Sequence, residues 1–212
     1  KEYAKKRRQL INPKKAAKTI TAGDLPLENG DTIYLTVADK DGNMVSLIQS
    51  NYGDMGAGLT PPNLGFSFQN RGQLFSLKED HPNVYAPSKR PFHTIIPAFV
   101  MKNDKPWLSF GLMGGSMQPQ GHAQIIVNLI DFGMNVQEAG DAARIRHTGS
   151  SQPTDETMKD GGKLYLETSI GNDIRNRLKE MGHNLPNDTH VYGGYQAIMY
   201  DSNRKVYIGA SD

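Results

Sequence analysis

The stretch Asn29-Gly30-Asp31-Thr32-Ile33-Tyr34-Leu35-Thr36-Val37-Ala38-Asp39-Lys40-Asp41-Gly42-Asn43-Met44-Val45-Ser46-Leu47-Ile48-Gln49-Ser50 decides the fold. Two runs of strand-favouring residues, 32–38 and 44–50, flank an Asp-Gly-Asn turn, a strong hairpin signal. Asn29-Gly30-Asp31 is turn-like, so Thr32 opens the first strand directly after a loop. Threonine there is, on one reading, an ordinary strand residue. On the other it is a latent nucleophile, because cutting the bond before it would set a free α-amine beside its own Oγ. A terminal amine has a pKa of about 7.7–8.0, so near neutral pH it can accept the hydroxyl proton and activate a weak nucleophile.

Outward from the hairpin, residues 4–22 read as a polar helix broken near Pro13, followed by a loop with Gly23, Pro26 and Gly30. Gly53–Pro62 reads as a flexible loop and Leu64–Asn70 as a third strand. Three prolines make 72–92 irregular. Strands follow near Thr94–Met101 and Trp107–Leu112, with Asn103-Asp104 between them. Ile125, Ile126, Leu129 and Ile130 are at helical spacing and Gly133 closes that helix. A second helix is expected over Val136–Ala143, then a polar loop over 148–162 and a strand at Leu164–Glu167. Ile170, Ile174, Leu178 and Met181 share one face of a helix ending at Gly182. Gln196–Tyr200 and Lys205–Gly209 form a closing hairpin around Asp201-Ser202-Asn203. The order of elements predicts an α+β fold of antiparallel sheets covered by helices.

Composition narrows the field. The chain has 212 residues, 37% hydrophobic and 22% charged, which suits one globular domain. A formal net charge of +2 is too small to argue for nucleic acid or an anionic membrane. The basic cluster Lys5-Lys6-Arg7-Arg8 reads as a solvated helix face. No apolar run approaches the ~20 residues of a membrane span. With no cysteine there is no disulfide or thiolate metal site. The six histidines lack metal-ligand spacing, so no metal is expected. Asp39, Asp41 and Asn43 suit a hairpin turn better than a calcium loop, which needs a distal Glu. The glycines at 53, 56 and 58 have no following Lys-Ser/Thr and do not make a phosphate loop. Met55 and Met113 suit a cleft lining or a core filler.

Gly114-Gly115-Ser116 lies between an apolar strand and a helix. It is either an ordinary strand-to-helix turn or a pair of backbone amides aimed at developing negative charge. Thr32 with Val37-Ala38-Asp39-Lys40-Asp41-Gly42-Asn43, then Lys89-Arg90-Pro91, Gly114-Gly115-Ser116 and Asp131-Phe132-Gly133-Met134-Asn135-Val136-Gln137-Glu138-Ala139 together resemble the γ-glutamyltransferase family. The match covers the catalytic small subunit from Thr32 onward. By that resemblance 1–31 is the tail of the large subunit and 32–212 the small-subunit domain. The implied fold is the four-layer αββα sandwich of N-terminal-nucleophile hydrolases, with part of it and some substrate contacts supplied by the large-subunit segment of the same precursor. The implied activity is an amidohydrolase or acyltransferase without cofactor, processed before Thr32. Thr32 would be nucleophile and, through its amine, base. Gly114 and Gly115 would form the oxyanion hole and Ser50 would orient Thr32.

The resemblance also exposes departures at the substrate pocket. Family members carry Asn-Asn-Gln/Glu-Met-Asp-Asp-Phe, whose second Asp grips the glutamate α-amine. Here the run is Gln69-Asn70-Arg71-Gly72-Gln73-Leu74-Phe75. Leucine cannot pair with an ammonium, and Arg71 in place of Gln or Glu disfavours a cation further. Pro-Leu-Ser-Ser becomes Pro91-Phe92-His93-Thr94, and Tyr52 stands where an Asn is usual. Asn70, Arg71, His93 and Thr94 are thus the expected substrate contacts, with Arg71 and His93 able to receive an anion. Arg71 reads equally well as half of a structural ion pair. The pattern resembles the divergent bacterial members, cephalosporin acylases among them, which leaves the compartment open between periplasm, exterior and cytoplasm. The rival expectations are true γ-glutamyl transfer or glutathione hydrolysis, and a non-catalytic relative that keeps the fold as a binding module.

Overall fold

In a computed structural model, which describes Arg8 and residues 10–19, 30–53, 55–188 and 190–212, β1 (Gly30–Ala38) and β2 (Met44–Gly53) form the expected antiparallel hairpin. Its turn is built on Asp39, whose Oδ1 accepts from the backbone N–H groups of Asp41 and Asn43, each at 2.9 Å. That carboxylate is thereby occupied as a turn acceptor. No group of three metal-ligating side chains gathers among the described residues.

Further along come β3 (Ala98–Lys102), β4 (Lys105–Leu112), α1 (Met117–Ile130), α2 (Val136–Asp141), β5 (Ile145–Thr148), β6 (Lys163–Leu166), α3 (Asn172–Glu180), β7 (Tyr195–Asp201) and β8 (Val206–Ser211). Strands β3-β4-β7-β8 make one antiparallel sheet in that order; β5 and β6 pair separately. α2 opens with a capping box, in which Asn135 receives the Glu138 amide and Glu138 reaches back to Asn135. α1 is closed by Gly133 at φ +65°.

Alternation along β4 sets the layers. Leu108, Phe110 and Leu112 share a buried cluster with Met117, Ile125 and Leu129 of α1 and Val136 and Ala139 of α2. Ser109 and Gly111 face the other way, against the hairpin. Thr36 Oγ1 lies 2.7 Å from Ser109 Oγ, and the Tyr34 ring lies so close over Gly111 that a Cβ there would fall 2.3 Å from it. Glycine at 111 is what lets the two sheets approach. The result is helices, sheet and hairpin in three layers. The outer hairpin face, Ile33, Leu35, Val37, Val45 and Leu47, is exposed, although a strand of this composition ordinarily buries such a face.

Several expectations need correction. Residues 10–19 form turns and bends, not helix; Pro13 supplies no N–H there, and Asn12 Oδ1 instead accepts the Lys14 amide at 2.9 Å. Residues 4–7, 9 and 20–29 of the expected helix and loop, with the basic cluster up to Arg7, lie outside the described residues. Leu64–Asn70 is not a strand. It folds back on its own loop, with Phe68 N–H donating to Leu59 O and Ala57 N–H to Phe68 O. The strand expected from Thr94 begins only at Ala98, after Pro97, which has no N–H for a ladder. β5, four residues of which only Ile145 is apolar, carries no strand pattern of its own. α3 forms, but none of its residues is buried.

His122 of α1 is buried, and its Nε2 accepts the Leu112 N–H at 3.2 Å. Burial pulls its pKa down to about 4, and the accepted hydrogen bond requires the neutral ring. The unfolded chain binds the proton near pH 6.5 and the folded one only near 4. Stability from this site is therefore complete above pH 6.5 and is lost as pH falls toward 4, by at most about 3 kcal/mol. A thermal melt series should show the His122→Asn variant with a flatter stability profile than wild type across that window.

Candidate active site

Thr32 is half-buried near the head of β1, and its Oγ1 donates a 3.0 Å hydrogen bond to Ser50 Oγ on β2. Register explains the pairing. Asp31 is opposite Tyr52 but Thr32 is opposite Ser50, so Asn51 is an extra residue and a bulge falls between Asp31 and Thr32. A bulge bends the strand and re-aims its side chains. Beyond it Tyr52 takes φ +80°, and its N–H donates to Ser50 Oγ at 2.9 Å. Ser50 thus accepts from both Thr32 and Tyr52. The alternating pattern predicted the strands; it carried no sign of the bulge.

The expected substrate contacts separate into two kinds. Asn70 is a scaffold for the loop: its Oδ1 accepts the Gly53 N–H at 3.0 Å and its Nδ2 donates to Gly53 O at 3.3 Å and Gly56 O at 3.1 Å. His93 is exposed. Arg71 and Thr94 are buried, at 5% and 2% exposure. Arg71 opens a short 3-10 turn (Arg71–Leu74), and its guanidinium carbon lies 4.9 Å from the centre of the Tyr52 ring. Arg71 Nε and Nη1 and Thr94 Oγ1 have no hydrogen-bond partner. Burial pulls the Arg71 pKa below its ordinary value and pushes the Tyr52 hydroxyl up. Leu74 is buried in an apolar cluster with Tyr52, and Phe92 packs against it.

Asn83 was missed by sequence reading and ties these pieces together. Its Nδ2 donates to Leu74 O at 2.6 Å and Pro153 O at 3.2 Å, and its Oδ1 accepts the Phe92 N–H at 2.9 Å. A lone Asn in an irregular segment gives no pattern to find it by.

Gly114 and Gly115 have φ +128° and +59° and lead into α1 through Met117 N–H to Gly114 O at 3.0 Å and Gln118 N–H to Gly115 O at 3.2 Å. The turn is braced by Gly193: a Cβ there would lie 2.3 Å from Met113 O, and one on Gly114 would lie 3.1 Å from Gly193 Cα. Ser116 Oγ accepts from Arg146 Nη2 at 3.3 Å. Gln118 is fully buried beside this turn, with neither side-chain polar atom partnered; it too went unread in the sequence.

Antiparallel sheets layered with helices match the fold class of the N-terminal-nucleophile hydrolases, and Thr32, expected to open the strand, is instead the third residue of β1 and faces a hydroxyl partner. The gamma-glutamyltranspeptidase family model matches residues 1–212, and the chain belongs to that family. It is 44% identical over 173 residues to the glutathione hydrolase-like YwrD proenzyme of Bacillus subtilis (strain 168), covering 80% of this chain and 30% of that protein. It is 36% identical to the oxamate amidohydrolase proenzyme of Klebsiella pneumoniae, covering 74% of this chain and 28% of that one. The crystal structure of cephalosporin acylase from Bacillus halodurans superposes with a TM-score of 0.82 at 41% identity, covering all of this chain and 36% of that one. The chain thus spans about a third of the length of these relatives.

Proposed function

We propose that this chain carries the catalytic machinery of an N-terminal-nucleophile amidohydrolase or acyltransferase. Residues 1–31 belong to the large-subunit side of the cut and 32–212 form the small subunit. The observation that carries the reading is the hydrogen bond from Thr32 Oγ1 to Ser50 Oγ, 3.0 Å long, set beside a strand bulge. The sheet contacts support placing Thr32 at the glycine turn. Thr36 meets Ser109 and Tyr34 meets Gly111, so stepping back along β1 towards Thr32 runs in the direction in which β4 leads to Gly114. The proenzyme names of the relatives fit a precursor cut in two. The bare apolar face of the hairpin fits a partner layer from the rest of that precursor.

In the precursor the Thr32 nitrogen is an amide. Thr32 Oγ attacks the Asp31 carbonyl, the peptide C–N bond breaks, and the nitrogen takes the proton to become the free amine. Water then hydrolyses the resulting ester, leaving Asp31 with a carboxylate and Thr32 with its hydroxyl. In the mature enzyme that amine takes the Thr32 hydroxyl proton as Oγ attacks the substrate amide, and delivers it to the leaving amine. The acyl-enzyme passes its acyl group to water or to an acceptor amine. The Gly114 and Gly115 amides stabilise the oxyanion in both steps.

Leu74, buried where γ-glutamyl enzymes place the amine-binding Asp, favours acyl amides over γ-glutamyl ones. Glutaryl- and γ-glutamyl-p-nitroanilide assayed side by side on the full-length protein test this. The expected kcat/KM is at least about tenfold higher for glutaryl, roughly the 1.4 kcal/mol of an unmatched ammonium. A clear preference for γ-glutamyl would contradict it.

A further inference from the structure

We infer that Arg146 is a positioning residue for the reaction: by bridging Ser116 to Val191 it fixes the aim of the Gly114 and Gly115 amides. The inference rests on the reading of those amides as the oxyanion site and names what holds them in place.

Ser116 stands at the head of α1, a helix of 14 residues, yet makes no side-chain cap bond. A serine there ordinarily turns its oxygen onto the amide two or three residues further on. Here the hydroxyl is buried, at 4% exposure, and accepts from Arg146 Nη2 at 3.3 Å instead. A stabilising cap is forgone for a contact with a guanidinium, and local rules of this kind are broken chiefly at functional sites.

Arg146, itself 2% exposed, also donates from Nη1 to Val191 O at 2.9 Å. Val191 is two residues before Gly193, which braces the glycine turn. Met113 N–H donates to Gly194 O at 2.9 Å, and a Cβ on Gly114 would lie 3.1 Å from Gly193 Cα. One planar fork thus joins the far end of the glycine turn to the loop that supports its start. A guanidinium presents its donors in fixed geometry and can hold two acceptors at a set spacing; an ammonium is a point charge on a flexible stem.

The backbone on both sides of Arg146 is pinned. β6 pairs along one edge of β5, with Tyr165 opposite Arg146. Along the other edge two glutamines of α1 stand in for a strand. Gln124 Oε1 accepts the Ile145 N–H at 2.8 Å and its Nε2 donates to Ile145 O at 3.0 Å. Gln120 does the same with His147, at 2.8 and 3.0 Å. Arg146 is therefore held to α1, the helix whose entry it orients, and such support is what keeps catalytic groups within a fraction of an ångström.

The test uses the full-length protein and whichever of the glutaryl- and γ-glutamyl-p-nitroanilides it turns over faster. Arg146→Met and Ser116→Ala should each lower kcat by about tenfold or more, towards the roughly 100-fold cost of a displaced catalytic group. KM should stay within about threefold, the pattern of an interaction made only in the transition state. Because both act through one contact, the double variant should lose no more than about threefold beyond the worse single one. Arg146→Lys, which keeps charge but not the fork, should lose as much as Arg146→Met. Hydrogen exchange in the Thr32→Ala variant, which needs no turnover, should speed over residues 113–118 once Arg146→Met is added, while β8 exchanges as before. If Arg146→Met does not accumulate folded, Arg146→Lys takes its place in the double variant and in the exchange measurement. Additive losses, a lower melting temperature with kcat unchanged, full recovery of kcat by lysine, or unchanged exchange over 113–118 would each overturn the assignment. A wild type that neither cuts itself nor hydrolyses either anilide, with exchange still responding to Arg146, would count against the catalytic reading and leave the bridge standing.

Discussion

Thr32→Ala should leave the full-length protein as one uncut chain and lower amide turnover by roughly 10⁴-fold or more, the scale on which a nucleophile's loss is felt. Both losses share one cause in the proposed mechanism. There the same Oγ attacks the Asp31 carbonyl once and the substrate carbonyl in every later cycle. Gel electrophoresis reads the first and anilide hydrolysis the second. Thr32→Ser keeps a hydroxyl at the same place, 3.0 Å from Ser50 Oγ in the threonine form, and should still cut itself and turn over, more slowly. A cleaved and active Thr32→Ala protein would end the assignment.

The second large effect is expected far from the nucleophile in sequence. Gly193→Ala places a Cβ 2.3 Å from Met113 O at a φ of +87°. Both the contact and the backbone angle are unfavourable for alanine. The backbone that must yield is the one carrying Gly114 and Gly115. A shift of about 1 Å at catalytic groups is enough to cost roughly 100-fold, so kcat should fall by about that factor. Gly58→Ala provides the control: it has φ +67° but nothing within 4 Å. It should cost some stability and leave kcat almost unchanged. Equal kcat losses in the two variants would show that backbone strain alone, rather than displacement of the glycine turn, is responsible.

The hairpin was legible because its signals are local: alternation in β1 and β2 and a turn whose Asp39 bonds the next residues. The Gly114-Gly115-Ser116 turn was legible for the same reason. Leu74 could be read as unable to hold an amine from its chemistry alone, and its burial with Tyr52 is consistent with that. What stayed hidden is set by partners distant in sequence. The bulge between Asp31 and Thr32 is a property of how two strands register. Gly193 is needed for its positive φ and because Leu112 and Met113 lie against it. Asn70 was legible as a candidate substrate contact, while its bonds to Gly53 and Gly56 were not. Leu64–Asn70 has the apolar alternation of a strand but no neighbouring strand to receive it, and its Phe68 bonds back to Leu59.

The family assignment and the layered fold hold whatever the chemistry proves to be; the catalytic account stands or falls on the bond before Thr32. Intact-mass analysis of the freshly purified full-length protein addresses that bond directly. Two chains are predicted, the smaller beginning at Thr32 with an unblocked amine. A single uncut chain that hydrolyses amides, or a cut at any other bond, would contradict it.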